Sequence, residues 1–183
     1  MVMQKRHIIE EYEITPLTMV VMPITYGSKT YSKIIEFEEE LISPFKPLEI
    51  IKKSCQFFGS SFEGRKDGTK ELIGITHKVP ISISPPNSIY FFPTTSPEKP
   101  QCIWISHEHI ADYMKGSENG TIVTFNNGHV LDIPISPSSF QNQLIRTVML
   151  KSKLTQRIEE THKKFKYMNK PRLLKASEMR SSY

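Results

Sequence analysis

Residues 121–133 read TIVTFNNGHVLDI, two short runs of β-branched and aromatic residues on either side of Asn126-Asn127-Gly128. An Asn-Gly step between such runs marks a β-hairpin, because both residues accept the positive φ of a tight reversal. Just beyond, Ser136 to Ser139 offer side chains that accept hydrogen bonds from the free N–H groups opening a helix. The predicted helix carries Phe140, Leu144, Ile145, Val148, Leu154 and Ile158 as an apolar stripe. Arg146, Lys151, Lys153 and Arg157 lie largely off that stripe. A hairpin followed by an amphipathic helix sets the class as α+β, with an antiparallel sheet core, a short internal helix and a long C-terminal amphipathic helix.

Working back toward the N-terminus, the pattern stays that of short strands. Glu13–Met22 and Tyr31–Phe37 flank a Tyr26-Gly27-Ser28 turn and read as a hairpin. Thr69–Ile75, Val79–Ile83, Ser88–Phe92 and Gln101–Ile105 read as further strands, the last three separated by proline-rich breaks. The short internal helix is expected over Leu48–Phe57, opened by Pro47 and ended by Gly59, with Leu48, Ile51, Cys55 and Phe58 on one face. Beyond His162 the chain becomes basic and loosely patterned. Residues 1–160 are therefore expected to form one domain, and 161–183 a flexible tail ordered by a partner.

Of the 183 residues, 38% are hydrophobic and 23% charged, enough apolar material to build a core and exclude global disorder. The apolar run at Met19–Met22 stops at Pro23, far short of a membrane span, and the N-terminus lacks the apolar segment of a secretory signal. With Cys55 and Cys102 as the only cysteines, no disulfide framework is indicated, and a reducing, cytoplasmic location is expected.

The net charge of +5 is unevenly spread. Residues 51–80 hold Lys52, Lys53, Arg65, Lys66, Lys70 and Lys78 against Glu63, Asp67 and Glu71, and the segment from 137 onward is more basic still. Segregation of this kind suits a face that meets a polyanion. Within that stretch, Gly59, Ser60, Ser61, Gly64 and Gly68 punctuate what reads as a loop. Small hydroxyls and bare backbone beside cations are the usual phosphate-contacting mixture on DNA.

Sharper chemistries fit less well. Gly59 to Lys66 has the outer spacing of a nucleotide-binding P-loop, but Arg65 stands where its lysine should be and Lys66 where its hydroxyl should be. The following residues also read as strand, where a P-loop needs a helix. Cys102, His107 and His109 match no compact zinc spacing, and Cys55 falls in a helical apolar stripe. No Gly-x-Ser-x-Gly elbow surrounds Ser60 or Ser61. Trp104 sits in an apolar strand, where packing is the default and base stacking a weak alternative. No metal, cofactor or enzymatic activity is expected.

The segments KSCQFFGSSFEGRKDGT (53–69), ITHKVPI (75–81), FFPTTSPEKPQCIWISH (91–107) and PISPSSFQNQLIRT (134–147) closely resemble the competence transcription factor family ComK. The similarity runs from about Tyr12 to about Ile158. The resemblance implies a cytoplasmic, nucleoid-associated activator of DNA-uptake genes without enzymatic activity. It would bind paired AT-rich boxes, largely through the minor groove, as dimers that combine into a tetramer. The implied partners are double-stranded DNA, further copies of the chain, RNA polymerase and a proteolytic adaptor, with no membrane. Arg65 is then the residue expected to enter the narrow, strongly negative groove of an A-tract. Lys52, Lys53, Lys66, Lys70 and Lys78 would neutralise phosphates, Ser60 and Ser61 would supply hydroxyls, and Gly59, Gly64 and Gly68 would permit close backbone approach. Asn142 and Arg146 would meet DNA or a second subunit. The adaptor-recognised element of the family, Phe-Met-Leu-Tyr-Pro-Lys, is only loosely matched by residues 165–172. A second reading makes the basic helix and tail a module for an acidic protein partner, without reading DNA sequence.

Overall fold

The computed structural model describes residues 7–168. Four strands come first: β1 (His7–Ile8), β2 (Thr18–Tyr26), β3 (Lys29–Glu36) and β4 (Glu40–Ser43). Two helices follow, α1 (Pro47–Phe57) and α2 (Phe62–Ile73), then β5 (Ile81–Ser84), β6 (Ile89–Pro93) and β7 (Trp104–Ser106). A separate group, β8 (Ile110–Lys115), β9 (Thr121–Phe125) and β10 (Val130–Ile133), precedes the 32-residue helix α3 (Pro137–Met168). The chain is α+β. The larger sheet has the order β1-β4-β3-β2-β7-β6-β5 and is antiparallel apart from the β1–β4 pair, while β10-β9-β8 form a second antiparallel sheet.

Neighbouring residues on the central strands face opposite ways, and both faces of the larger sheet are buried. Val21, Ile34, Phe91 and Trp104 join one core with Ile50, Ile51 and Cys55 of α1 and Phe62 of α2. Val20, Ile35, Phe92 and Ile105 join the other with Val123 and Phe125 of β9, Ile133 of β10 and Phe140 of α3. The period-2 alternation of side chains thus produces three layers: helices, sheet, and small sheet with the start of α3.

The predicted hairpin is present as β9–β10, with Gly128 at φ 83°. Helix α1 lies where expected, and Gly59, at φ 72°, follows its end. Three expectations need correction. Residues 62–73 form a helix, not a loop running into a strand. Ser61 caps it by accepting from the Gly64 N–H (3.0 Å), and Gly74, in the left-handed region, donates to the Lys70 carbonyl at 2.8 Å. The P-loop reading still fails, because α2 follows α1 and not a strand, and Arg65 and Lys66 lie inside the helix. The inward face of α3 is also only in part the stripe predicted, which holds at Phe140 and Leu144. Phe140, Gln143, Thr147 and Leu150 are buried, whereas Ile145, Val148 and Ile158 are exposed. Polar side chains tolerate that inner face because they are bonded: Thr147 donates to the Gln143 carbonyl at 2.7 Å. Finally, α3 runs on through 161 as far as Met168. Residues 169–172 of the loosely matched adaptor element, and the rest of the tail, lie outside the described residues.

Both cysteines are buried in the first core, and His109 contacts the Pro16 carbonyl (2.7 Å) while His107 pairs with Glu108. Burial pushes the Cys55 thiol up to about 11, partly opposed by the charge of Arg65, and raises that of Cys102 as well. Between the ordinary thiol value of 9.0 and that raised value, the folded state keeps a proton the unfolded state has lost. Stability is therefore full below about pH 9 and declines toward pH 11. Urea melts should show a loss of ~2–3 kcal/mol across that window. The Cys55 share of it should vanish in Cys55→Ala, whose overall stability is lower, leaving the part due to Cys102, Tyr12 and Tyr90, which burial also holds protonated; an unchanged alkaline slope in that variant would contradict the assignment.

Candidate nucleic-acid interface

The sequence-predicted residues all lie in or beside the helical layer. Pro47 opens α1 with its φ already set for a helix, and the backbone N–H of Lys46 bonds the Glu49 carboxylate at 2.7 Å. Lys52 and Lys53 are exposed on this helix. The Lys53 ammonium rests 3.4 Å from the centre of the Phe45 ring, and that of Lys52 lies 5.7 Å from the ring of Phe62. From α2, Lys66 reaches the same ring at 5.9 Å. Phe62 thus draws Lys52 and Lys66 together, although they come from different helices.

The corner between α1 and α2 is Phe58-Gly59-Ser60-Ser61. Its two serines differ. The Ser60 Oγ accepts from Arg65 Nε (2.8 Å) and donates to the Cys55 carbonyl (3.2 Å), whereas the exposed Ser61 Oγ accepts from the Gly64 N–H in the helix cap and keeps its O–H to donate. Ser60 therefore orients Arg65. The guanidinium, half-buried, stands in the first turn of α2 rather than on a glycine-hinged loop, with two of its three nitrogens outside this bond. Among the described residues no carboxylate pairs with Arg65, Lys52, Lys53 or Lys78, whereas Lys66 pairs with Glu63 (3.7 Å) and Lys70 with Asp67 (3.0 Å).

Helical winding has a second consequence. Glu63, Asp67 and Glu71 recur every four residues and form an exposed acidic row on α2, and Gly64 and Gly68, also four apart, form a bare row next to it. The cations are displaced to the two flanks. Lys52 and Lys66 occupy the flank toward α1. On the other side, α3 packs against α2, and Lys153 donates to the Leu72 carbonyl at 2.8 Å. There Arg146 donates to the His77 carbonyl (3.4 Å) and to Gln143 Oε1 (3.2 Å), beside Lys78. Asn142 is exposed on the same helix. The predicted residues therefore form two groups, one at the α1–α2 corner and one at the Lys78–α3 junction.

Gln143 escaped the sequence reading. It is 2% exposed, and its Nε2 donates to the carbonyls of Lys78 (2.9 Å) and Pro93 (2.7 Å). It pins α3 to the turn in which Lys78 adopts φ 49°, and its Oε1 steadies Arg146. The only signal was a polar residue on what proves to be the inner helical face. Trp104, in contrast, is fully buried and unavailable for base stacking.

Among the described residues, no helix is long and apolar enough to cross a membrane, and no three of His, Cys, Asp or Glu gather as a metal-holding group. No solved structure matches the chain. It is 45% identical over 151 residues to the competence transcription factor of Bacillus subtilis (strain 168), an alignment covering 82% of this chain and 79% of that protein. The family model described as ComK protein matches residues 9–159, a span that contains every residue of both basic groups. On these two matches, the chain belongs to the ComK family.

Proposed function

We propose that this protein is a DNA-binding transcription activator of competence genes and not an enzyme. It acts in the cytoplasm on paired AT-rich boxes, as two or more copies. The observation that carries the reading is the coincidence of the family match with the corner bearing Arg65 and Lys52, cations with no carboxylate partner among the described residues. Arg65, held by Ser60, addresses the narrow minor groove of an A-tract, where the potential is most negative. Lys52, Lys53 and Lys66 flank it against phosphates. Lys78 and Arg146, with Asn142, form the second contact or meet the neighbouring copy. The test is titration of the intact protein with AT-box and GC-rich duplexes at two salt concentrations. Preference for the AT-box with a steep salt dependence supports the reading. Weak, sequence-blind binding would instead favour an acidic protein partner.

The glycine row supplies a further check. Gly68 lies inside α2, is exposed, and has nothing within 4 Å of an added Cβ. In the helix interior glycine costs about 1 kcal/mol relative to alanine. Gly68→Ala should therefore raise stability by ~0.5–1 kcal/mol in a thermal melt. If the bare strip beside Arg65 lies against the sugar–phosphate backbone, the added methyl group separates the two surfaces. The expected result is a more stable protein with several-fold weaker AT-box binding. Unchanged affinity would remove Gly68 from the contact surface.

A further inference from the structure

Residues 24–31, ITYGSKTY, stand apart from the rest of the larger sheet. On one side, β2 pairs with β7 only at Val20 and Val21; on the other, β4 pairs with β3 only between Ser32 and Ile35. From Ile24↔Tyr31 to Tyr26↔Lys29 the two strands pair only with each other. Pro23 has no N–H to continue a ladder toward β7, and this discourages a third strand from joining. The result is a short two-stranded arm extending about 10 Å from Ile24 to its tip, by the usual rise of a strand.

The tip is exposed and apolar–cationic. Tyr26 is 46% exposed, and its ring stacks on that of Tyr31 with centroids 4.9 Å apart and planes 16° apart. Lys29 is exposed at the turn, and the arm contains no acidic residue. One residue from the tip, Thr30 lines a cavity of about 310 Å³ together with Lys46, Glu49, Lys52, Glu98 and Lys99. The Glu49 carboxylate is occupied by the Lys46 N–H, and none of Lys29, Lys46, Lys52 and Lys99 pairs with a carboxylate among the described residues. Lys52 belongs both to this cavity and to the cluster on Phe62. A continuous cationic path therefore runs from the α1–α2 corner along α1, a helix of about 16 Å, to the arm.

We propose that the β2–β3 arm is a second DNA-reading element that enters the major groove next to the box contacted by the corner. A two-stranded ribbon is about 10 Å wide with its side chains, too wide for a minor groove of about 6 Å but suited to a major groove of about 12 Å. There the stacked Tyr26–Tyr31 pair meets the C5-methyl groups of thymine, and Lys29, Lys46 and Lys99 meet flanking phosphates. This rests on the DNA reading above and adds a second groove to it.

The test uses AT-box duplex in which thymines are replaced by uracil, or by 5-iodouracil for photo-crosslinking, with the full-length wild-type protein. Loss of the methyl groups at the flanking positions should weaken binding about tenfold, and crosslinks should map to Tyr26 or Tyr31. The Tyr26→Ser/Tyr31→Ser pair should lose affinity for the thymine duplex by a similar factor and become indifferent to uracil. Lys46→Ala/Lys99→Ala should lower the slope of log affinity against log salt by about two units. Crosslinks confined to other segments, or a tyrosine variant that binds like wild type, overturn the arm. So does a variant that loses only self-association in sedimentation while holding a single box as tightly as before. Failure of the wild-type protein to bind any duplex would instead sink the DNA reading itself.

Discussion

Phe62→Ala is expected to lower the unfolding free energy by about 3–5 kcal/mol, the largest loss of any single substitution considered. Phe62 is the first residue of α2, 4% exposed, and meets Trp104 edge-to-face with centroids 6.2 Å apart and planes at 82°. Around it, α2 has little else to bury: only Phe62 and Thr69 are buried along the helix. Truncation leaves a cavity against Trp104 and removes the ring on which Lys52 and Lys66 converge. Each of those cation–π contacts is worth about 0.5–1 kcal/mol at a half-exposed site, so the packing term dominates. With Gly64 and Gly68 in its interior, α2 has no propensity reserve to hold it in place. Trp104, the single tryptophan, reports the event directly. Its emission should shift to longer wavelength in the native baseline, and the midpoint of a denaturant melt should fall. Phe62→Leu should keep most of the stability. A loss below 1 kcal/mol in Phe62→Ala would mean that α2 is held by its α3 contacts instead.

Helix α2 also shows where the sequence stops being readable. The β9–β10 hairpin, α1 and most central strands are legible because each is announced locally, by Asn-Gly, by Pro47 and Gly59, or by alternating apolar residues. In α2, Gly64 and Gly68 argue for a loop, and Gly74 looks like a strand interior until it is seen as the left-handed residue ending a helix. The helix forms because Ser61 caps it and Phe62 anchors it in a core built from distant strands, a tertiary cause no local window contains. The same misreading altered the site. Read as a loop, residues 59–70 are a mixture of cations and hydroxyls; wound at 3.6 residues per turn, they separate into an acidic row, a bare row and two cationic flanks. The composition of the site was legible, although its residues divide between the α1–α2 corner and the Lys78–α3 junction. Its hydrogen bonding was not: nothing in the sequence indicates that Ser60 holds Arg65, or that Gln143 joins Lys78 to Arg146.

Arg65→Ala should weaken AT-box binding ten- to a hundredfold, ~1.4–2.7 kcal/mol, and flatten the preference for AT-rich over GC-rich duplex. Two causes combine. A narrowed minor groove concentrates negative potential on an inserted guanidinium, and that advantage disappears with the side chain. Its Nε is already fixed by Ser60, so the remaining N–H groups are pre-oriented and little side-chain entropy is lost on binding. Arg65→Lys separates the two effects. It keeps the charge, so the salt slope should stay near that of wild type, but it lacks the planar fork and cannot hold the Ser60 bond in the same geometry. Its AT preference should fall most of the way toward that of Arg65→Ala. Ser60→Ala should do the same more mildly, by releasing an arginine that is still present. Lys66→Ala behaves differently. A phosphate contact from its ammonium would read no sequence, so binding to all duplexes should weaken alike and the slope should fall by at most about one unit. The shortfall reflects Glu63, 3.7 Å away, which already offsets part of that charge. Glu63→Gln should accordingly strengthen binding to every duplex. If Arg65→Ala and Lys66→Ala proved indistinguishable, with equal loss on AT-rich and GC-rich DNA, Arg65 would be one more phosphate contact and the reading of the narrow groove would have to come from another residue.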